Sequence, residues 1–87
     1  YMNINQLIEI LKNKLNKNII CDNIEIEDKT FLHKNHSSHD KNKFHIKLII
    51  KSDYLKKKNK IESTKEVYKV LKEELKNNIH SIQLLII

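Results

Sequence analysis

Hydrophobic residues recur every three or four positions near the start of the chain and again in its last third. The first set predicts an amphipathic helix over residues 3–16. The second set, at residues 67–75, predicts another helix with one buried side. We expect this helix to begin at Ser63, because Ser63 and Glu66 have the spacing of a capping box, in which each side chain satisfies a free backbone N–H of the first turn.

Two shorter stretches alternate apolar and polar residues, which is typical of a strand with one exposed face. They cover residues 24–28 and 44–50. A third run, residues 79–87, is rich in isoleucine and leucine and predicts a buried strand. The pair Asn77 and Asn78 before it predicts a helix exit that tolerates left-handed backbone. Residues 52–62 are expected to form a turn or a short helical crossing.

The order of these elements predicts an α+β fold, namely helix, strand, strand, short helix, helix, strand. Two strands joined by a helical crossover nearly always return in parallel, so the second and third strands should be parallel neighbours whose starts lie at one sheet edge. His80 then lies at the root of the loop that joins the first two strands. A length of 87 residues predicts a single domain over residues 1–87.

That loop, residues 29–42, is polar and without periodicity, and at about 14 residues it exceeds an ordinary hairpin connection. It carries three histidines, His33, His36 and His39. Together with His80 and His45 they could assemble a metal site, because imidazole is a common ligand for intermediate and soft metals. The simpler alternative is a solvated loop, a hydrogen-bonded histidine at the strand start, and an outward-facing strand position at His45.

Composition argues against several classes of protein. The chain has no glycine, so it has no glycine-rich phosphate loop, and no serine has a recognisable base partner; we therefore expect no enzymatic activity. Its lone cysteine, Cys21, rules out an internal disulfide and suits a reducing compartment, the cytosol or the mitochondrial matrix. No apolar run approaches the roughly 20 residues of a membrane span, so no membrane partner is expected.

Residues 44–84 resemble the BolA family without a gap. Residues 45–53 read HIKLIIKSD and resemble the family's HFKV…SD strand. Residues 67–75 read VYKVLKEEL and resemble its VYxxLxEEL helix, and residues 79–82 read IHSI and resemble its VHAL strand start. Residues 24–33 resemble the first strand and the beginning of the family's ligand loop. The resemblance implies a class II KH-like fold, one mixed three-stranded sheet with helices on one face.

The resemblance also implies a function and a cofactor. BolA-like proteins partner monothiol glutaredoxins and share a [2Fe-2S] cluster with them and their glutathione, in iron-sulfur cluster maturation or iron regulation. The family's invariant histidine matches His80, and its second ligand best matches His33. The loop is three residues longer than in the bacterial type, so His36 or His39 could take that role. The isolated chain is expected to be a monomer without a cofactor.

A KH-like fold leaves an alternative, a nucleic-acid-binding transcriptional regulator that uses Lys56, Lys57, Lys58 and Lys60. KH-type binding normally uses a Gly-x-x-Gly loop, which a chain without glycine cannot form. The net charge of +6 comes from lysines spread over every polar face, which is more often a solubility device. Nucleic-acid binding is therefore expected to be weak.

Overall fold

The computed structural model describes residues 2–30 and 43–87. Their helices and strands are α1 (Ile4–Asn18), β1 (Asn23–Asp28), β2 (Phe44–Lys51), α2 (Asp53–Lys56), α3 (Lys60–Val70), α4 (Lys72–Asn77) and β3 (Ile79–Ile86). The strands form one sheet in the order β1-β2-β3, with β1 antiparallel and β3 parallel to β2. The predicted α+β fold with a mixed sheet, and the predicted parallel pairing of the second and third strands, are thus confirmed. None of the helices in these two ranges is long and apolar enough to cross a bilayer.

Helix α1 begins with a capping box that its hydrophobic spacing does not reveal. The Asn3 side chain accepts a hydrogen bond from the Gln6 backbone N–H, and the Gln6 side chain accepts one from the Asn3 backbone N–H. From there, Leu7, Leu11 and Leu15 repeat every four residues along one side of the helix and are fully buried. The predicted helix is confirmed, and it ends two residues beyond its expected limit.

The hydrophobic core lies between the helices and one face of the sheet. Ile46, Leu48 and Ile50 alternate along β2 and are buried in it. The helices contribute Leu7, Leu11, Leu15, Leu55, Val67 and Leu71 to the same cluster. Each such side chain stabilises the fold by about 1.5–3 kcal/mol relative to leaving it exposed.

The prediction that the second long helix begins at Ser63 is wrong. Helix α3 begins at Lys60, and its N-cap is Asn59, whose side chain accepts a hydrogen bond from the Glu62 N–H at 2.9 Å. Asn59 and Glu62 have the same three-residue spacing as the pair that was expected to cap the helix. Ser63 is instead buried within α3 and donates its hydroxyl to the Leu55 carbonyl at 2.6 Å, so it ties α3 to α2. The helix is also interrupted at Leu71, where α4 follows.

Helix α4 ends at Asn77, as the asparagine pair predicted, although the exit does not use the left-handed backbone that asparagine tolerates. Asn78 has φ −126° and ψ −16°, and no described residue has positive φ. The Asn78 N–H donates to the Glu74 carbonyl at 2.8 Å, and its own carbonyl accepts from the Phe44 N–H at 2.9 Å. These two bonds hold Asn78 between the helix and β2, so the chain enters β3 without a left-handed residue.

Strand β3 is not the buried strand that its composition predicted. It lies at the edge of the sheet, and within it only Ile79 is fully buried. Residues on its second face are exposed, including Leu85 at 44%. One face of the apolar run therefore packs on the core, and the opposite face of β3 is exposed.

Lys14 connects the first and last helices through ion pairs with Glu74 and, at 4.0 Å, with exposed Glu73. Lys14 of α1 donates to the Glu74 carboxylate of α4 at 2.7 Å, and Glu74 is buried. The second carboxylate oxygen of Glu74, Oε1, is buried without a hydrogen bond among the described residues. The hydrogen bond from Lys14 is therefore the main compensation for removing this charge from water. The same bond raises the pKa of Lys14 above its ordinary value of 10.5.

We predict that Lys14→Met lowers the free energy of unfolding by about 1–2 kcal/mol. Breaking a fully buried pair costs about 3–5 kcal/mol, and the loss is smaller here because water screens the Lys14 side chain, which is 36% exposed. Because the folded pKa of Lys14 is raised, its contribution is complete below pH 10.5 and is lost as the pH rises through the folded value.

Urea unfolding at neutral pH would measure the loss of stability in Lys14→Met. The same measurement at a pH above the pKa of Lys14 in the folded protein would show whether this loss disappears. Lys12→Met, an exposed position on the same helix, is the matched control. A Lys14→Met protein as stable as this control at neutral pH would contradict the prediction.

Candidate functional site

Strands β2 and β3 begin side by side, and this places two histidines at the same end of the sheet. Phe44 is paired with Ile79, and the Phe44 N–H bonds to the Asn78 carbonyl just before β3. His45 and His80 follow immediately. The prediction that His80 lies at the same edge as the start of β2 is confirmed.

A β-bulge makes His80 an extra residue in β3. Phe44 pairs with Ile79 and His45 pairs with Ser81, so His80 has no partner residue on β2. A regular strand would place Ile79 and Ser81 on the same face. The bulge shifts this alternation by one residue, which lets Ile79 enter the core while His80 and Ser81 are both exposed. The imidazole of His80 is therefore presented to solvent by a strand that is anchored on both sides of it.

His45 supports this arrangement from β2. Its Nδ1 shares a hydrogen bond of 2.6 Å with the Ser81 hydroxyl, and its ring centroid lies 4.7 Å from that of His80 at an angle of 52°. The simpler alternative for His45, an outward-facing strand position, is correct for the face that it occupies, but the side chain is only 3% exposed. It does lie on the face opposite the core residues of β2, as its position in the alternation requires, but it is covered there.

The beginning of the long loop is attached to the same histidine. The Lys29 N–H donates to the His45 carbonyl at 2.7 Å, and the Thr30 hydroxyl accepts from the His45 N–H at 3.2 Å. Residues 29 and 30 therefore lie beside the start of β2, close to where His80 emerges. His33, His36 and His39 fall outside the described residues, so their expected role stays a prediction.

Chemically, the described part of this site offers one accessible imidazole backed by a buried one. His80 can donate a ring nitrogen to a metal or a hydrogen bond to a partner, since its side chain is exposed. Within residues 2–30 and 43–87, no group of three or more potential metal-ligating side chains occurs. A metal held here would need further ligands from elsewhere.

The lysines of the alternative prediction lie at a different place. Lys56, Lys58 and Lys60 border a groove of about 360 Å³ between the α2–α3 segment and the C-terminal end of β3, whereas Lys57 does not line it. Lys58 is paired with Glu66 at 2.9 Å and lies 4.9 Å from the centre of the Tyr54 ring. The hydrogen bond from Lys58 also lowers the pKa of Glu66. Because Lys58 is already ion-paired, Lys56 and Lys60 are the groove lysines available to bind a ligand.

Sequence reasoning named His80 as a site residue and His45 as a possible further ligand, but it did not predict that His45 and Ser81 support His80. Alternation along β2 assigned His45 to the open face, and exposure was inferred from that assignment. The available signal was the parallel pairing itself, which brings residues after Phe44 next to residues after Ile79. The bulge that aligns His45 with Ser81 has no sequence signature here, because no glycine marks it.

We predict that Ser81→Ala lowers the free energy of unfolding by about 1 kcal/mol. The substitution removes the hydroxyl that binds Nδ1 of a buried ring, while Ser81 itself contributes little burial. Ser81→Thr keeps the hydroxyl and is the matched control. Equal urea midpoints for the two variants would show that this hydrogen bond does not support the site.

Comparison with known proteins identifies relatives of this fold. The BolA domain of SufE1 from Arabidopsis thaliana has a TM-score of 0.76 and 24% sequence identity, over 99% of this chain and 93% of that chain. BolA1 from Arabidopsis thaliana has a TM-score of 0.74 and 24% identity, over 90% and 86% of the two chains. A bol-like protein from Babesia bovis has a TM-score of 0.69 and 13% identity, over 91% and 80%. No curated protein sequence matches the chain. The model of the BolA-like protein family matches residues 11–86, and the chain therefore belongs to this family.

Proposed function

We propose that this protein is a non-enzymatic BolA-like module that binds a monothiol glutaredoxin and contributes histidine ligands to a [2Fe-2S] cluster shared with it. Such a complex would act in iron-sulfur cluster maturation or iron regulation. The observation that carries the proposal is the exposed His80 imidazole, placed in a bulge and packed against buried His45.

The backbone around His80 is held before any ligand arrives. Ile79 is buried in the core on one side, and Ser81 is bonded to His45 on the other. A ligand whose backbone is already ordered avoids a conformational cost of roughly 1–2 kcal/mol per residue on binding. His80 is therefore suited to be the fixed ligand of a site that a partner completes.

The second ligand is proposed to come from the loop. Thr30 is bonded to His45, and His33 follows three residues later, within a reach of roughly 10 Å of extended chain. His33 is therefore the preferred candidate, and His36 and His39 are its alternates. The glutaredoxin would supply a cysteine thiolate and its bound glutathione to the other iron.

The donor set of this chain fits such a cluster, because imidazole replaces thiolate at one iron in known two-iron clusters. When bound, the cluster supplies electron-transfer and iron-sulfur transfer chemistry, and imidazole ligation raises its reduction potential relative to all-thiolate ligation. The chain itself has three tasks: to present the His80 ring nitrogen, to orient the ring through His45, and to anchor the start of the loop through Thr30.

We predict that His80→Ala abolishes histidine ligation of the shared cluster and leaves the fold intact, because an exposed imidazole contributes little burial. His33→Ala should have a smaller effect, and His36→Ala and His39→Ala smaller effects still, since neighbouring loop histidines can substitute. Each variant would be mixed with a cluster-loaded monothiol glutaredoxin, and the visible circular dichroism and cluster decay rate would be recorded.

Gln83→Ala, an exposed position on the same strand, is the matched control, and thermal unfolding without glutaredoxin checks the fold of each variant. Size-exclusion chromatography with cluster-free glutaredoxin separates loss of ligation from loss of partner binding. A His80→Ala complex with the spectrum and decay rate of the unsubstituted protein would refute the ligand assignment.

DNA binding distinguishes the proposed function from the nucleic-acid alternative. With Lys58 paired to Glu66, binding of duplex DNA should be weak and should disappear as salt rises, because it depends on the net charge of +6 alone. A titration at two salt concentrations measures this. Tight binding that prefers one sequence at physiological salt would instead favour a transcriptional regulator.

A further inference from the structure

Among the described residues, no strand or hydrogen-bonded segment covers the outer edge of β3. Its main-chain groups turn alternately towards and away from β2. The Ile87 N–H bonds to the Ile50 carbonyl at 2.9 Å, and the Ile87 carbonyl accepts from the Ser52 N–H at 3.0 Å. Because alternate residues direct their main-chain groups to opposite sides, three residues of β3 direct theirs to the outer edge. These are Ile82, Leu84 and Ile86. Among residues 2–30 and 43–87, none of their outward groups forms a hydrogen bond.

Proteins usually protect such an edge with charged residues, proline, a bulge or a very short strand. β3 is eight residues long and contains neither proline nor any charged residue. Its single irregularity lies at His80, at the far end of the strand. The stretch from Ser81 to Ile86 therefore retains the features that allow another extended segment to pair with it.

The groove described above lies along this same edge. Leu84 and Ile86 direct their side chains to the core face and Leu85 directs its side chain to the opposite face, yet all three line the groove. The groove is therefore bordered by the edge of the strand and not by one face of the sheet. Its opposite wall is formed by the α2–α3 segment.

The lining of the groove specifies the chemistry of an occupant. Leu55, Leu84 and Ile86 give an apolar floor, and Lys56 and Lys60 have no acidic partner among the described residues. Free lysines beside an apolar floor favour a ligand that carries both carboxylates and apolar side chains. A second copy of this chain is disfavoured, because it would bring two lysine-bordered edges together.

From these observations we propose that the outer edge of β3, together with the groove beside it, binds an extended acidic peptide segment of a partner protein. The segment adds as a fourth strand, bonds to the main chain of Ile82, Leu84 and Ile86, and places carboxylates near Lys56 and Lys60. A nucleic acid fits less well: its backbone cannot pair with a strand edge, and the ring of Tyr54 already has Lys58 over its face. The proposal is independent of the cluster site, since Leu84 and Ile86 lie roughly 13–20 Å along β3 from His80.

The test uses the whole chain and a fluorescein-labelled peptide, Glu-Val-Val-Glu-Val-Val-Glu. Matched probes replace glutamate by lysine, or a valine next to the central glutamate by proline, which prevents strand pairing without changing the charge. A single-stranded oligothymidylate represents nucleic acid. Fluorescence anisotropy measures affinity, and amide hydrogen exchange by NMR measures strand pairing. We expect saturable binding of the glutamate peptide only. On binding, amides of Ile82, Leu84 and Ile86 should become protected, while those of Gln83 and Leu85, already directed to β2, should not change.

The double variant Lys56→Glu, Lys60→Glu should weaken peptide binding by roughly tenfold. Lys12→Glu with Lys17→Glu makes the same change in net charge on exposed positions of α1 and should have little effect. The proposal is overturned if the peptide shows no saturable binding or if both double variants weaken peptide binding equally. It is also overturned if the amides of Gln83 and Leu85 become protected together with those of Ile82, Leu84 and Ile86. If the oligothymidylate binds more tightly than the peptide, through Lys56 and Lys60, the groove is assigned to nucleic acid. If amide protection rises with protein concentration in the absence of peptide, the groove is assigned to a second copy of the chain. Either result would overturn the proposal.

Discussion

The parallel pairing of β2 with β3 is the constraint on which the rest of the molecule depends. It fixes the strand starts at one edge, places Asn78 against Phe44, and brings the two strand histidines within ring contact. It also determines where the helices must lie, because a crossover between parallel strands covers one face of the sheet. The position of the site and the arrangement of the core are therefore two results of a single strand pairing.

The two strand histidines, His45 and His80, differ in exposure and in what holds them in place. Buried His45 is held by backbone bonds to Lys29 and Thr30 and by the Ser81 hydroxyl. Exposed His80 has few contacts of its own and takes its orientation from His45 and from the bulge. This arrangement resembles a metal site in which an outer residue positions the ligand, except that the positioning residue here is also an imidazole. The family membership shows the module, and the exposed ring of His80 supports the ligand role proposed for it.

Much of the fold could be predicted because its signals are periodic. The alternation along β2 and the spacing of Leu7, Leu11 and Leu15 depend only on which residues avoid water. The failures have local causes. Asn59 and Ser63 both carry a cap signature, and the choice between them depends on whether Ser63 can reach the Leu55 carbonyl, which is a tertiary contact. The burial of His45 and the edge position of β3 depend on what packs over each face of the sheet, and no single strand contains that information.

The bulge at His80 has a consequence for how the protein can change during evolution. Because Phe44 and His45 are consecutive and pair with Ile79 and Ser81, removing His80 would leave a regular strand in which Leu84 keeps the core face and Leu85 keeps the opposite face. The core therefore requires neither the side chain of this residue nor its presence, so the bulge is a feature of the candidate site alone. A lineage that had no use for an exposed imidazole here could therefore lose the whole residue and keep the sheet. One residue in β3 is thus the structural difference between a plain strand and a strand that presents His80 to solvent.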